Sequence, residues 1–446
     1  MPERFIITNG TVLLPEGLKQ TDLELRDGVI SQINGSISPD ESSHVVNAKG
    51  EYVLPGFIDI HTNGIAGFDL TNGMYDLKSK SFRFNQEAYM EGLDHALKRY
   101  AEKGVTRAIL TSVASPIEEL KQAFGFVSAY KKKVSESAWK EVLGGLYVEG
   151  TFMKLAEYSG AHNPEYFKEP SERLFDELQD AANGIIKIVN IVPEWGDSAL
   201  RLIEYLSSQG IVCAAGHTGA SALQYNRAIK SGTRLVVHFL NGPTGSSTKP
   251  FGGGGAVESV LRASNMFVEI IADGYHVDKS YVLDTIGRKG FDKVVIVTDG
   301  MFAIGLDGIE TFRIFDVDGK VSSNREYVEV ASKINTLFGS LLTTDVAFSN
   351  LLNWLTVPVD GVWRDMHQPL ELEQAFVVAS AMCSKNPAKA LGIFEPTLLE
   401  HNADLGHYSG SIETGKCADI VIAKLERIDG KFKLNIDKVF VKGKAI

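Results

Sequence analysis

Between residues 57 and 297 the chain alternates short apolar runs with helical stretches, and this rhythm restricts its fold more than any other feature. The runs are Phe57–Ile60, Ala108–Thr111, Leu143–Val148, Ile185–Asn190, Val212–Ala215, Leu235–Val237, Phe267–Ile271 and Val294–Val297. Helical periodicity covers Glu87–Lys103, Ile117–Lys133, Ser198–Ser208 and Ser221–Ser231. Nearly continuous apolar strands separated by helices are what a parallel sheet covered on both faces requires. Eight of them predict the α/β class, a (β/α)8 TIM-like barrel rather than a sandwich. Thr311–Val330 reads as an inserted β-hairpin or loop.

The two ends obey a different rule. Phe5–Ile7, Thr11–Leu14, Leu23–Leu25 and Val29–Ile33 are short strand-like runs bounded by turn residues, with Arg26–Gly28 as a hairpin turn. Ile420–Lys424, Lys431–Ile436 and Lys438–Val441 look alike. A chain of 446 residues is too long for one ordinary core. The expected organisation is a barrel over 56–404 and one small β-sandwich assembled from 1–55 and 405–446.

Composition narrows the partners. A formal net charge of −11 argues against nucleic acid and anionic membranes, which need a basic surface. It leaves room for a small anionic ligand in a locally positive pocket. No apolar stretch approaches the ~20 residues of a membrane span, and Met1–Gly10 lacks the apolar core of a signal peptide. Cys213, Cys383 and Cys417 lie far apart without paired spacing, so the expected home is a reducing cytoplasm.

Chemistry-bearing residues stand where these runs stop. His61 and Asn63 follow the first, Glu149 the third, His217 the fifth, His238 the sixth, Asp273 and His276 the seventh, and Asp299 the eighth. Any one of them alone is more ordinarily a surface histidine or a loop anchor. In a barrel, however, the carboxyl ends of all strands share one rim, so residues distant in sequence converge. A carboxylate with several imidazoles is the donor set of a divalent-metal site that keeps a position open for water.

The residues also carry a family signature. Val53-Leu-Pro-Gly-Phe-Ile-Asp-Ile-His-Thr-Asn-Gly64 resembles the first-strand motif of the amidohydrolase superfamily. Val148-Glu-Gly150, Gly160-Ala-His-Asn-Pro164, Gly216-His-Thr-Gly-Ala-Ser221, Val237-His-Phe-Leu-Asn-Gly242, Ile271-Ala-Asp-Gly-Tyr-His-Val277 and Val297-Thr-Asp299 follow. Their order is similar to that of N-acetylglucosamine-6-phosphate deacetylases, and the likeness extends to Asn386-Pro-Ala-Lys-Ala-Leu-Gly392 and the stretch from Gly410 to Asp419. The resemblance implies hydrolysis of the sugar acetamide by a homodimer holding one divalent ion, zinc first, with iron, cobalt or manganese as alternatives. It implies Glu149, His217 and His238 as metal ligands, Asp299 as the general base and then acid, and His162 as the group that polarises the acetamide carbonyl. Ala161, His162, Asn241, Gly242, His276 and the loop Leu337-Phe338-Gly339 would hold the sugar and its phosphate.

Two positions depart from the family pattern. His61-Thr-Asn63 offers one histidine where two would support a second metal, so a weak second ion at His61 and a merely hydrogen-bonded histidine both stay open. Relatives acting on a 6-phosphate place an arginine in the loop after the His238-type ligand, offered across a dimer interface; here residues 242–255 contain Lys249 near the expected place and no arginine. Lysine binds phosphate as a point charge without the bidentate fork. Deacetylation of N-acetylgalactosamine-6-phosphate, of an unphosphorylated N-acetyl sugar or of an N-acyl amino acid therefore stays open. An inactive amidohydrolase-fold scaffold would call for damaged ligands, which the sequence does not have.

Overall fold

Strands buried on both faces need apolar side chains at every position, and the protein uses this rule throughout its central sheet. The structure is a computed structural model that describes residues 4–133, 137–241, 245–247, 249, 251–314, 316–333, 335–396 and 407–446. Its central sheet holds β1 (Phe57–Thr62), β2 (Val105–Ser112), β3 (Leu143–Phe152), β4 (Ile186–Ile191), β5 (Val212–Ala215), β6 (Thr233–Val236), β7 (Phe267–Ile271) and β8 (Val294–Val297). Each pairs in parallel with the next in chain order. Helices α1 (Gln86–Glu102), α2 (Ile117–Lys132), α3 (Glu172–Ala181), α4 (Asp197–Ser208), α5 (Ala222–Ser231), α6 (Ala256–Arg262), α7 (Lys279–Lys289) and α8 (Thr344–Leu355) follow the successive strands. The expected barrel is thus observed.

The helices form for local reasons and dock for apolar ones. In α4, Ala199, Leu202, Ile203 and Leu206 recur at helical spacing and are buried, while the opposite face is wet. In α5, Ser221 and Gln224 make a reciprocal capping box that ends the loop carrying His217. Asn386 supports the far end of the barrel: its Nδ2 donates to the carbonyls of Phe291 and Val294, 2.7 Å each, where β8 begins.

The tip of β8 closes onto the tip of β1. Asp299 N–H donates to His61 O at 2.8 Å, and Asn63 and Gly64 N–H both donate to Gly300 O. Beneath these bonds lies buried Asp59, whose Oδ2 accepts from the Thr298 hydroxyl at 2.5 Å and whose Oδ1 accepts from Thr298 and His61 N–H. Burial pushes the Asp59 carboxyl up to about 6, against the pull of its Thr298 bonds.

Two regions exceed their expected extent. Thr311–Ile314, Val317–Val321, Tyr327–Val330 and Leu337–Ser340 form a four-stranded antiparallel sheet where a hairpin or loop was expected. Its last strand lies beyond the mostly polar sequence 331–336, which hides the continuation from a reading of periodicity. Phe312, Val328, Val330 and Phe338 from this insert pack on Phe302 beside the barrel mouth.

The chain ends also build more than foreseen. Gly17–Gln20, Ser43–Asn47 and Tyr52–Pro55 are additional strands, and the last long run is one strand, Lys431–Val441. Ile420–Ile428 pairs antiparallel with Tyr52–Pro55, so the two ends share a six-stranded sheet. A four-stranded sheet from the amino-terminal part faces it, with Ile7, Leu23 and Leu25 meeting Val53, Ile420, Ile422 and Phe440 in a separate core. The expected boundary at 404–405 falls outside the described residues.

Because Asp59 joins β1 to β8, Asp59→Ala strands buried Thr298 donors and should destabilise the protein by about 2–4 kcal/mol. Urea unfolding at fixed metal content measures this, and an unmoved midpoint would assign barrel closure to the main-chain bonds alone.

Candidate active site

A cavity of about 880 Å³ opens at the carboxyl ends of the strands. The residues singled out at the ends of the first, third, fifth, sixth and eighth strands converge at its floor. His238 Nε2 lies 2.9 Å from Glu149 Oε1, His217 Nε2 lies 3.3 Å from the same oxygen, and the two imidazole nitrogens are 3.1 Å apart. Glu149, His217 and His238 thus offer three donor atoms to one point, and His61, His238 and Asp299 form an overlapping group. His217, His238 and Asp299 all adopt positive φ, at 56°, 21° and 48°. Such non-glycine conformations cost of order 1–3 kcal/mol each and gather at functional sites.

Neighbouring bonds aim each ring. His217 Nδ1 donates to the Tyr158 carbonyl at 2.9 Å, so its Nε2 lone pair faces Glu149 and His238. His162 Nδ1 accepts from Ala114 N–H at 3.1 Å, so its proton sits on Nε2, 3.5 Å from Glu149 Oε2. His61 Nδ1 meets Glu269 Oε2 at 2.9 Å, while its Nε2 stands 3.5 Å from both Glu149 Oε2 and Asp299 Oδ1. Asn63 Nδ2 donates to Asp299 Oδ1 at 2.7 Å.

Charge balance at this floor calls for a cation. Glu149, Glu269 and Asp299 are all buried there, and an uncompensated buried carboxylate costs several kcal/mol. Burial pushes Glu149 up, but the charges of His61 and His162 outweigh it and hold the carboxyl well below its usual range. Burial likewise disfavours charged His61, yet Glu149 and Glu269 raise its pKa well above the ordinary value. His238 rises for the same reason, its bond to Glu149 overcoming burial. His217 goes the other way: burial lowers it to about 4, which keeps it in the neutral, ligating form at neutral pH. Protons on imidazoles thus do what a bound cation would do. The inward-facing nitrogen His61 Nε2 has no hydrogen-bond partner among the described residues, as expected of an atom shaped for an ion or its water. The residues present fit a divalent metal.

The remaining expected residues fall around the cavity, with two exceptions. Ala161, His162, Asn241, His276, Leu337, Phe338 and Gly339 line it. His276 Nδ1 is paired with Asp273 Oδ2 at 2.6 Å, which leaves its Nε2 buried and free of partners among the described residues. Gly339, at φ 52°, approaches the Asp299 carbonyl so closely that a Cβ would come within 3.0 Å of it. Ser340 N–H then bonds that carbonyl at 2.8 Å, tying the inserted sheet to Asp299. Gly242 lies outside the described residues. Lys249 is exposed and is not among the residues that line the cavity.

Three supporting residues escaped the sequence reading. Glu269 also accepts from His238 N–H at 3.0 Å, so it orients two histidines at once. Asn190 donates to Glu149 O and accepts from Gly216 N–H, holding the tips of β3 and β5 together. Glu194 accepts from the Thr218 hydroxyl and Gly219 N–H, 2.6 Å each, and so fixes the loop after His217. The available signal for Glu269 and Asn190 was a polar residue inside an apolar strand, which is costly to bury unless it is used.

The amidohydrolase family matches residues 52–446. The N-acetylglucosamine-6-phosphate deacetylase of Vibrio furnissii is 29% identical over 421 residues, covering 93% of this chain and 89% of that protein. The N-acetylgalactosamine-6-phosphate deacetylase of Escherichia coli O157:H7 is also 29% identical, over 412 residues and 92% of each chain. The crystal structure of N-acetylglucosamine-6-phosphate deacetylase from Pasteurella multocida superposes with a TM-score of 0.78 over 99% of both chains at 23% identity, a likeness of fold. The chain belongs to the amidohydrolase family.

Proposed function

We propose that the protein hydrolyses the acetamide of N-acetylglucosamine-6-phosphate to glucosamine-6-phosphate and acetate. The observation that carries this reading is the Glu149–His217–His238 cluster facing Asp299 and His162 at the floor of one cavity, in a chain similar along most of its length to such deacetylases. Glu149, His217 and His238 would hold a divalent ion, zinc first, although the same donors accept iron, cobalt or manganese. When bound, the ion would supply a nucleophile at neutral pH and draw electron density from the amide carbonyl. A second, weaker ion against His61 would share His238 and Asp299.

The chain's own residues account for the proton traffic. Asp299, held at Oδ1 by Asn63, takes a proton from the attacking water as oxygen adds to the carbonyl carbon. It returns that proton to the nitrogen as the C–N bond breaks, so acetate and the amine leave in balance. His162, with its proton on Nε2, donates to the carbonyl oxygen as negative charge develops there. His276, steadied by Asp273, presents an acceptor to a sugar hydroxyl. Asn241, Gly242, Ala161 and the Leu337–Gly339 strand would shape the rest of the sugar subsite.

A runner-up reading rests on one observation: the N-acetylgalactosamine-6-phosphate deacetylase cited above has the same 29% identity to this chain as its Vibrio furnissii glucosamine counterpart. The two substrates differ at one ring hydroxyl, and a panel of both sugars decides between them. Among the described residues no helix is long and apolar enough to cross a membrane. All cysteines are free and buried, which fits a reducing cytoplasm. The homodimer implied by the family resemblance completes the proposal.

Two measurements test the chemistry. Asp299→Asn should lower kcat for acetate release by about 10²–10⁴-fold with intact metal content; a variant within threefold of wild type would remove Asp299 from proton transfer. Chelator-treated protein should lose activity and regain it with zinc, and saturating zinc should raise Tm by an amount equivalent to about 3 kcal/mol at 100 Kd. Glu149→Gln should abolish that shift, and an equal shift in the variant would refute the ligand assignment.

A further inference from the structure

Beside the candidate metal ligands, three buried polar atoms have no hydrogen-bond partner among the described residues: His238 Nδ1, Glu269 Oε1 and the Tyr147 hydroxyl. Leaving such atoms unpaired is costly, and folded proteins rarely do so. The three residues share one neighbourhood. Glu269 Oε2 accepts from His238 N–H at 3.0 Å and meets His61 Nδ1 at 2.9 Å. The His61 ring stands edge-on to Tyr147, with centroids 5.0 Å apart, and lies 5.3 Å from the His238 ring. Tyr147 precedes Glu149 by two residues on β3, so both side chains leave the strand on the same face. Burial first, then the charges of Glu269 and Glu149, push the Tyr147 phenol well above its ordinary range, so it keeps its O–H.

Donors and acceptors in this group are complementary. When His238 binds a metal through Nε2, its proton sits on Nδ1 and needs an acceptor. Ligating histidines almost always hand that proton to a carboxylate, a carbonyl or a water. His217 hands its own to the Tyr158 carbonyl. His238 has no such protein acceptor. Ionised Glu269 Oε1 can only accept, whereas Tyr147 can donate. One water would accept from His238 Nδ1–H and from Tyr147 O–H, and donate to Glu269 Oε1. Three bonds are the usual number for a buried water.

We propose that His238 Nδ1, Glu269 Oε1 and the Tyr147 hydroxyl hold an internal water, and that Tyr147 is through it a positioning residue for the metal ligand His238. The inference rests on the metal reading above, and its test separates the two. Zinc affinity by chelator competition would be measured for wild type, Tyr147→Phe and Thr285→Val, beside a high-resolution crystal structure of the zinc-loaded wild type. Thr285, on α7, supplies the control, because its hydroxyl is also buried without a partner among the described residues. Tyr147→Phe keeps the ring beside His61 and should weaken zinc binding by roughly 10-fold. Thr285→Val should leave zinc binding unmoved, and the crystal should show a water within hydrogen-bond reach of all three atoms. Unchanged zinc affinity in Tyr147→Phe would make the hydroxyl a packing element only and overturn the proposal, whatever happens to Tm. So would an equal loss in Thr285→Val, or a crystal in which Tyr147 bonds Glu269 directly with no water between them. A wild type that takes up no zinc would sink the metal reading together with this one. Zinc uptake by wild type that Tyr147→Phe matches sinks this one alone.

Discussion

Closing an eight-stranded parallel sheet requires the last strand to meet the first, and here that seam is also where the chemistry is placed. Asp299 N–H bonds the His61 carbonyl, while Asp59 gathers Thr298 and His61 beneath it. Because the strands are parallel and in chain order, their carboxyl ends form one rim. Loops of very different length can therefore deliver Glu149, His217, His238 and Asp299 to one place without strain in the strands. The strain appears instead two residues beyond the strand ends, in the positive φ angles of the two histidines and the aspartate.

Around that rim the dominant force is electrostatic. Three carboxylates and four imidazoles are buried together in a small volume, and the histidines shift in opposite senses according to what each faces. His217 is bound through Nδ1 to a carbonyl and stays neutral; His61 lies among carboxylates and is driven toward the charged form. A divalent ion would resolve both conditions, neutralising the acids and accepting imidazole lone pairs. The supporting bonds from Glu269, Asn190 and Glu194 hold these groups in place while that charge is absent or present.

The inserted sheet reaches this electrostatic centre. Gly339 and Ser340 pin it to the Asp299 backbone, and Lys333 ties its far turn to the loop beside His217. The insert is thus anchored at two points of the rim, and its Lys333 is the one lysine or arginine among the described residues that line the cavity.

Much of this was legible in order along the chain. Apolar strands of uniform character and helices of helical period name a parallel barrel, because burial on both faces acts on each strand locally. Strand-end histidines and acids could be found the same way, and five of the six singled-out strand ends meet at the cavity floor, while the seventh strand supplies the Asp273–His276 pair on its wall. Glu269 shows the limit of such reading. As one polar residue in an apolar run it carries no partner's name, and only the register of β7 beside β6 turns it toward His61 and His238. Lys333 lies farther out of reach: a lysine in a polar turn looks solvated, and only the fold brings its Nζ to the Gly160 carbonyl. Local composition decides which face of an element is buried; which charges meet is a matter of distances between segments, and those exist only once the chain has folded.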